Sequence, residues 1–244
     1  MKAFIFAAGL GTRLRPLTLD RPKALVEVGG KTMLERTITT LKDAGFSDFV
    51  VNVHHFADKI ESYLAENDNF GCNISISDER ALLLDTGGAV AAARRLLGDE
   101  PFLVHNVDIM SNLDIRGFVD EGLDGALARL VVSDRPSSRK LLFDEDDCLC
   151  GWLNTKTGEV RGPAAETPEI VRNILAFSGI HMISPEVFDL MAGWPAKFSI
   201  IDFYLATCAT HRIVSHVPAN FKLQDMGTPE AVAEKSKELA GLQK

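Results

Sequence analysis

The sequence of 244 residues lacks the features that mark membrane-spanning, disulfide-rich and zinc-binding proteins. It contains no apolar run close to the roughly 20 residues that a membrane-spanning helix requires. Its first apolar stretch, residues 3–11, is short and is followed closely by arginines, which is unlike a secretory signal. The four cysteines include no Cys-x-x-Cys pair, which favours a reduced, cytoplasmic protein without a zinc site or a disulfide framework.

An excess of positive charge is also missing. The formal net charge of −8 at pH 7 argues against general binding to nucleic acid or to an acidic membrane surface. Cationic side chains are nevertheless concentrated within residues 1–31, where six of them stand against two acidic ones: Lys2, Arg13, Arg15, Arg21, Lys23 and Lys31 against Asp20 and Glu27. A small basic region in an acidic protein suits a small polyanion as its ligand.

The order of the predicted elements indicates an α/β fold. Residues 2–8 form a continuous apolar run, which is typical of a strand buried on both faces of a parallel sheet. Thr32 is the expected N-cap of the first helix, and Gly45 follows its predicted end. Alternating strands and helices predict a mostly parallel sheet with helices on both faces. The predicted strands are 2–8, 49–53, 73–77 and 102–105, and the predicted helices are 32–44, 57–64 and 88–97.

The pattern changes after about residue 124, where predicted strands follow one another with few helices between them. No linker, internal repeat or low-complexity tract separates the two parts, so residues 1–244 are expected to form one domain. In sheets of this kind, ligands bind at the carboxyl ends of the strands. The loop 8–31 and Asp108 both follow predicted strand ends, so we expect them to meet in one crevice.

The segment Gly9-Leu-Gly-Thr-Arg follows the first strand and has the composition of a phosphate-binding loop. The dinucleotide-binding motif would need a third glycine at position 14, which is Leu14, and an immediate helix that the prolines here would interrupt. Gly9 and Gly11 allow a ligand to approach the backbone and its N–H groups. Arg13 offers a planar set of donors and Lys23 a point charge. Two cations on one loop suit a triphosphate.

These segments resemble, in order along the chain, the motifs of the sugar-1-phosphate nucleotidyltransferases. Residues 9–18 and 22–23 match the family signature GxGTRxxPxT…PK. Four later segments resemble further family motifs: Asp85-Thr-Gly-Gly, Asn106-Val-Asp, Phe177-Ser-Gly-Ile and Asp225-Met-Gly-Thr-Pro. The resemblance extends to about residue 232. It implies a Rossmann-like three-layer fold with a mixed, mostly parallel sheet, and we expect no left-handed β-helix tail of the kind that longer bacterial members carry.

The resemblance implies transfer of a nucleotidyl group from a nucleoside triphosphate to a sugar 1-phosphate, with release of pyrophosphate. Positioning and charge neutralisation should supply most of the catalysis. Catalytic roles fall to Arg13, Lys23 and Asp108, and Mg²⁺ ligation falls to Asp108 and Asp225. Residues 1–110 would bind the nucleotide and residues 111–244 the sugar phosphate. The nucleotide-binding set is Ala8, Gly9, Gly11, Thr12, Arg13, Lys23, Asp85, Thr86, Gly87 and Gly88.

The second half of the sequence departs from the family pattern. Val107 stands where the family usually has glycine, and the Glu-Lys-Pro segment whose lysine contacts the sugar phosphate is missing. Four cations could replace that lysine, and Arg139 is preferred because it falls in a predicted polar loop; the others are Lys140, Lys156 and Lys197. The predicted sugar-phosphate set is Asn106, Arg139, Ser178, Gly179, His181 and Asp202.

Two subfamilies are most similar to this sequence. The short length and the acidic-Thr-Gly-Gly pattern at 85–88 resemble the uridylyltransferases of N-acetylmuramate 1-phosphate, and the guanylyltransferases of mannose 1-phosphate are nearly as similar. A catalytically silent subunit that binds nucleotide sugars is the alternative from another functional class. The expected partners are a nucleoside triphosphate and a sugar 1-phosphate, and the expected assembly is a monomer or a small homo-oligomer.

Overall fold

The computed structural model describes residues 1–241, which form fourteen strands and eight helices. The strands are β1 (Ala3–Phe6), β2 (Glu27–Val28), β3 (Lys31–Thr32), β4 (Asp48–Val53), β5 (Asn73–Asp78), β6 (Phe102–Asn106), β7 (Ile109–Ser111), β8 (Ala128–Ser133), β9 (Arg139–Phe143), β10 (Leu149–Asn154), β11 (Val160–Arg161), β12 (Asn173–Ile183), β13 (Ile213–His216) and β14 (Leu223–Asp225). The helices are α1 (Met33–Asp43), α2 (Ala57–Glu66), α3 (Asp85–Ala92), α4 (Arg94–Leu97), α5 (Ile115–Asp120), α6 (Val187–Leu190), α7 (Ile200–Thr207) and α8 (Pro229–Gly241).

A mixed sheet of ten strands forms the middle layer of the fold. Eight of its strands follow the order β11-β10-β9-β12-β6-β1-β4-β5, and β8 and β13 extend the sheet beside β12. The centre is parallel, because β1 pairs in parallel with both β6 and β4, and β4 pairs in parallel with β5. The long strand β12 runs antiparallel to β6, β8 and β9, and so joins the two halves of the chain in one sheet.

Helices cover both faces of this sheet, as the alternating pattern predicts. Along β1, Ala3 and Ile5 face one hydrophobic core and Phe4 faces the other, because successive side chains of a strand point to opposite faces. The first core includes buried side chains of α1, α2, α5 and α8, and the second includes those of α3, α4, α6 and α7. Each large apolar side chain buried here stabilises the fold by about 1.5–3 kcal/mol. The predicted three-layer α/β architecture is confirmed.

Helix α1 shows how local sequence sets an element. Its N-cap Thr32 accepts a hydrogen bond from the backbone N–H of Glu35 at 3.0 Å, as expected of a capping threonine. The buried residues recur at helical spacing and face the first core: Leu34, Ile38 and Leu41. Because cap and periodicity agree, this element lies where the sequence predicts it.

Other boundaries differ from the prediction. The helix expected over 88–97 begins at Asp85 and is divided at Ala93 into α3 and α4. The short elements β7, α5, β13 and β14 were not predicted, because three to six residues carry too little periodicity to identify an element. In the described residues, no helix is both long and apolar enough to cross a membrane.

Candidate active site

A cleft of about 380 Å³ lies at the carboxyl ends of the parallel strands. Phe6 at the end of β1 pairs in register with Asn52 of β4 and Asn106 of β6, so these strands end side by side. All three residues line the cleft. Five of the predicted nucleotide-binding residues also line it: Ala8, Gly9, Lys23, Asp85 and Thr86. One cation from the second half of the chain, Lys197, lines it as well.

The loop after β1 is folded back on itself. Gly11 adopts φ +62°, a conformation that favours glycine, and its carbonyl oxygen accepts a 2.8 Å hydrogen bond from the Thr18 hydroxyl. Thr12 begins a short 3-10 helix whose Leu14 side chain is fully buried and fixes the loop to the first core. The folded loop holds the Lys23 side chain beside Gly9.

Lys23 and Asp108 form a mostly buried ion pair. The Lys23 ammonium lies 2.8 Å from Asp108 Oδ2, and the two side chains are 17% and 8% exposed. Such burial is costly for an unpaired charge, so the pair holds both groups in place. A lysine ammonium has three donors, and one contact to Asp108 leaves two for other anions.

Arg13 and Asp225 make a much looser contact. Arg13 Nη2 lies 4.0 Å from Asp225 Oδ2, and the side chains are 68% and 40% exposed. An exposed pair of this kind contributes only about 0–1 kcal/mol. Asp225 is instead oriented by its own turn, where its Oδ1 accepts a 2.8 Å hydrogen bond from the Gly227 N–H. The Arg13 guanidinium is consequently available to an incoming anion.

The structure brings the two predicted metal-binding aspartates to neighbouring positions. Strands β7 and β14 pair antiparallel with Asp225 opposite Ile109, and the Met226 N–H donates to the Asp108 carbonyl oxygen at 2.8 Å. Within residues 1–241, no cluster of three or more acidic, histidine or cysteine side chains is arranged to hold a metal. Two carboxylates fit Mg²⁺, which usually takes one or two from the protein and completes its shell with phosphate oxygens and water.

A buried network behind the loop lies outside the predicted set of site residues. Asn52 Oδ1 accepts hydrogen bonds from the N–H groups of Ala7 at 2.7 Å and Ala8 at 3.2 Å. Its amide donates to Glu79 Oε1 at 2.7 Å, and Glu79 Oε2 accepts from the Leu84 N–H at 3.0 Å. Burial raises the pKa of the Glu79 carboxyl. Position in the chain could have pointed to Glu79, because it directly follows β5. Asn52 and Glu79 both line the cleft.

The second glycine-rich segment is divided between the cleft and the interior. Asp85 and Thr86 line the cleft, whereas Gly87 and Gly88 do not. The N–H groups of both glycines donate to the Phe198 carbonyl oxygen, at 2.9 and 3.2 Å. A Cβ atom on Gly87 would overlap the Phe198 ring. The structure therefore places these two glycines as packing residues, with their N–H groups already occupied.

The predicted sugar-phosphate residues are dispersed. Asn106 lines the cleft, and Gly179 packs on its side chain so closely that a Cβ would overlap the amide. Ser178 is buried and donates to the Val131 carbonyl oxygen at 2.7 Å. His181 is buried with its Nδ1 2.8 Å from the Tyr204 hydroxyl oxygen, and burial lowers its pKa to about 3. Ser178 and His181 thus contact the protein interior and do not line the cleft.

Two further predicted residues lie elsewhere. Arg139 was expected in a loop, but it begins β9, because it pairs with Asn154 at the end of β10. Asp202 lies in the first turn of α7 and accepts a 2.6 Å contact from the exposed Arg161 guanidinium. Neither lines the cleft, and of the four candidate replacement cations Lys197 does so.

Comparison with known proteins identifies the family of this chain. Residues 2–135 match the family model described as Nucleotidyl transferase. The chain is 35% identical over 237 residues to the N-acetylmuramate alpha-1-phosphate uridylyltransferase of Caulobacter vibrioides, which covers 94% of this chain and 93% of that protein. It is 31% identical over 195 residues to the mannose-1-phosphate guanylyltransferase catalytic subunit beta of Drosophila pseudoobscura pseudoobscura, which covers 77% of this chain and 49% of that protein.

The fold has solved counterparts. A UDP-glucose pyrophosphorylase complexed with UDP-glucose superposes with a TM-score of 0.79 at 18% identity, covering 99% of this chain and 98% of that one. This likeness confirms the Rossmann-like nucleotidyltransferase fold. The family model spans more than half of the chain, and the bacterial relative spans nearly all of it. The chain therefore belongs to the nucleotidyl transferase family.

Proposed function

We propose that this protein transfers a uridylyl group from UTP to N-acetylmuramate α-1-phosphate in a Mg²⁺-dependent reaction that releases pyrophosphate. The observation that carries the proposal is the ion pair of Lys23 with Asp108 beside the glycine-rich loop. The pairing of β7 with β14 brings the backbone of Asp225 next to that of Asp108. The similarity to a uridylyltransferase of that name over 94% of the chain supports the choice of substrates.

The chemistry needs no general base. The nucleophile is a phosphate oxygen that is already anionic; it attacks the α-phosphorus in line, a new O–P bond forms, and the bond to the β-phosphate oxygen breaks. Mg²⁺ held by Asp108 and Asp225 would neutralise phosphate charge during this exchange. The protein contributes by holding the reacting groups in line and by surrounding them with fixed positive charge.

The residues of the loop divide this work. Lys23, held by Asp108, directs its two remaining donors to the α-phosphate, where negative charge must be offset as the new bond forms. Gly9 and Gly11 let the phosphates approach the backbone. Arg13, which is exposed and loosely paired, binds the departing pyrophosphate with its planar donors.

The Asn52–Glu79 network positions the loop. By accepting from the N–H groups of Ala7 and Ala8, Asn52 fixes the point at which the backbone leaves β1. Glu79 fixes Asn52 on one side and the Leu84 backbone on the other. The two glycine-rich segments are thus held at a set separation before a nucleotide binds.

The test is a matrix of substrates. Pyrophosphate release is measured with Mg²⁺ and each of four nucleoside triphosphates against the 1-phosphates of N-acetylmuramate, mannose, glucose and N-acetylglucosamine, with EDTA as the metal control. Release that requires UTP and N-acetylmuramate 1-phosphate and stops with EDTA is expected. No release with any pair, from folded protein, would contradict the proposal and favour the silent nucleotide-sugar-binding subunit.

A second candidate reaction is guanylyl transfer to mannose 1-phosphate. The 31% identity to a mannose-1-phosphate guanylyltransferase subunit over 77% of this chain supports it. The same matrix separates the two, because GTP with mannose 1-phosphate would then give the fastest release. The chain spans about half the length of that relative, whereas it spans nearly all of the uridylyltransferase, which is why we prefer uridylyl transfer.

A further inference from the structure

We propose that Lys197 binds the phosphate of the incoming sugar 1-phosphate and fixes it for attack. This inference rests on the proposed function, because it assigns a residue to the acceptor in that reaction. An acceptor phosphate approaching a triphosphate meets strong electrostatic repulsion, so the acceptor side of the cleft needs a cation of its own. Lys23 is already held by Asp108 and is assigned to the α-phosphate.

Lys197 is in the right place for this task. It lies between α6 and α7 and lines the same cleft as Lys23 and Asn106. Of the cations in residues 111–241, it is the one that lines this cleft. Lys197 thus supplies a positive charge to this cleft from the segment between α6 and α7.

The backbone around Lys197 is fixed although its side chain is exposed. On its C-terminal side, the Phe198 N–H donates to the Leu84 carbonyl oxygen at 3.2 Å, and the Phe198 carbonyl accepts from Gly87 and Gly88. On its N-terminal side, the Ala196 carbonyl packs against Gly88 with no room for a Cβ.

A second contact fixes the start of α7. The Ile200 N–H donates to Thr86 Oγ1 at 2.9 Å, and Thr86 itself lines the cleft. The segment carrying Lys197 is therefore attached to the nucleotide side of the site, and the position of the lysine backbone relative to Asp85 and Thr86 is set by the fold.

The Lys197 ammonium is free to bind an anion. Within the part of the chain that the structure describes, it has no ion-pair partner, whereas Lys140 pairs with Asp134 at 3.2 Å. Lys156 is exposed and does not line the cleft. A flexible ammonium on a fixed backbone, at the edge of a cleft that binds phosphates, suits a ligand that must enter and leave in each cycle.

The experiment compares Lys197→Met with Lys197→Arg and with Lys156→Met as the matched surface control. Loss of one charge-assisted contact is expected to raise the KM for the sugar 1-phosphate by roughly tenfold to a hundredfold. The KM for the nucleoside triphosphate should change by less than about twofold, because the substitution removes no contact with the triphosphate. Lys197→Arg should restore most of the affinity, and Lys156→Met should match the wild type.

The reverse reaction separates this role from its alternatives. Starting from the nucleotide sugar and pyrophosphate, Lys197→Met should raise the KM for the nucleotide sugar and leave the KM for pyrophosphate unchanged. A raised KM for pyrophosphate or for the triphosphate would overturn the assignment, as would an unchanged KM for the sugar 1-phosphate in an active variant. Failure of the wild type to release pyrophosphate would instead show that the proposed function itself is wrong.

Discussion

Residues 1–110 and residues 111–241 contribute to the candidate active site by different means. In the first region, the site residues follow directly after strands: the phosphate loop after β1, Glu79 after β5, and Asp108 after β6. In the second region, Asp225 and Lys197 arrive through contacts between segments distant in sequence, namely β7 with β14 and Phe198 with α3. If the proposed function is right, the residues that bind the triphosphate lie in short segments after strands, whereas those of the second region reach the site through tertiary contacts.

This difference has a physical origin. A triphosphate is recognised by backbone N–H groups and fixed cations, and a loop of defined conformation can supply both within a short stretch of chain. In the proposed reaction the acceptor attacks the phosphorus from the side opposite the departing pyrophosphate, so its contacts come from a different segment of the chain. Substitutions that separate the two contributions test whether the cleft works in this way.

The largest effect is expected at the aspartates that join the two regions. Asp108→Asn removes the carboxylate that holds Lys23 and that we assign to Mg²⁺. Pyrophosphate release should fall by about 10³-fold, the upper range for losing one electrostatic contact at a transition state. In the second region, Asp225→Asn should lower the rate of pyrophosphate release by about 10²-fold and raise the Mg²⁺ concentration needed for half-maximal rate.

The control for these variants is Asp120→Asn, which makes the same change in an exposed carboxylate paired with Arg116. Thermal unfolding monitored for all three variants checks that the fold is retained. Near-normal turnover of Asp108→Asn would show that the first region does not hold the metal. An unchanged Mg²⁺ requirement in Asp225→Asn would confine metal binding to the first region.

Packing between the regions should have the next largest effect. In Gly88→Ala, the new methyl group would overlap the Ala196 carbonyl oxygen, so α3 and the Lys197 segment must move apart. Overpacking of this kind costs about 1–3 kcal/mol, which corresponds to a Tm lower by roughly 2–12 °C for a chain of this size. Calorimetric unfolding provides the measurement.

Gly241→Ala is the matched control, because that glycine ends α8 and no atom from another part of residues 1–241 lies within 4 Å of an added Cβ. Gly88→Ala could also raise the KM for the sugar 1-phosphate while leaving the KM for the triphosphate unchanged. That result would mean that the contact of Gly88 with Ala196 positions Lys197 for binding the sugar 1-phosphate. An unchanged Tm and unchanged kinetics would mean that the two regions are not coupled through this contact.

The comparison also explains what could be predicted from the sequence. The phosphate loop and α1 were predictable because their signals are local: glycines and cations at fixed spacing, a capping threonine, and an apolar stripe. The ion pair of Asp108 with Lys23 and the position of Lys197 in the cleft were not, because they depend on contacts between segments distant in sequence, which leave no periodic pattern. Ser178 and His181 were predicted to bind the sugar phosphate because they lie in or beside a segment that resembles a family motif. That segment is the buried part of β12, and the sequence alone does not reveal this burial.

The smallest effect is the contribution of His181, in the second region, to the dependence of stability on pH. Burial lowers the pKa of His181 to about 3, so the folded protein keeps the ring neutral while the unfolded chain binds a proton below the ordinary pKa of 6.5. Stability is therefore retained above pH 6.5 and is lost as the pH falls from 6.5 toward 3. The loss approaches about 1.4 kcal/mol per pH unit below the unfolded pKa.

The measurement is urea unfolding of the wild type and of His181→Gln between pH 7 and pH 5, a range in which most carboxylates stay ionised. Glutamine keeps a polar partner for the Tyr204 hydroxyl but cannot bind the proton, so its stability should fall less steeply with acidification. Equal slopes for wild type and His181→Gln would mean that this ring reaches solvent, in which case His181 would return as a candidate for binding the sugar.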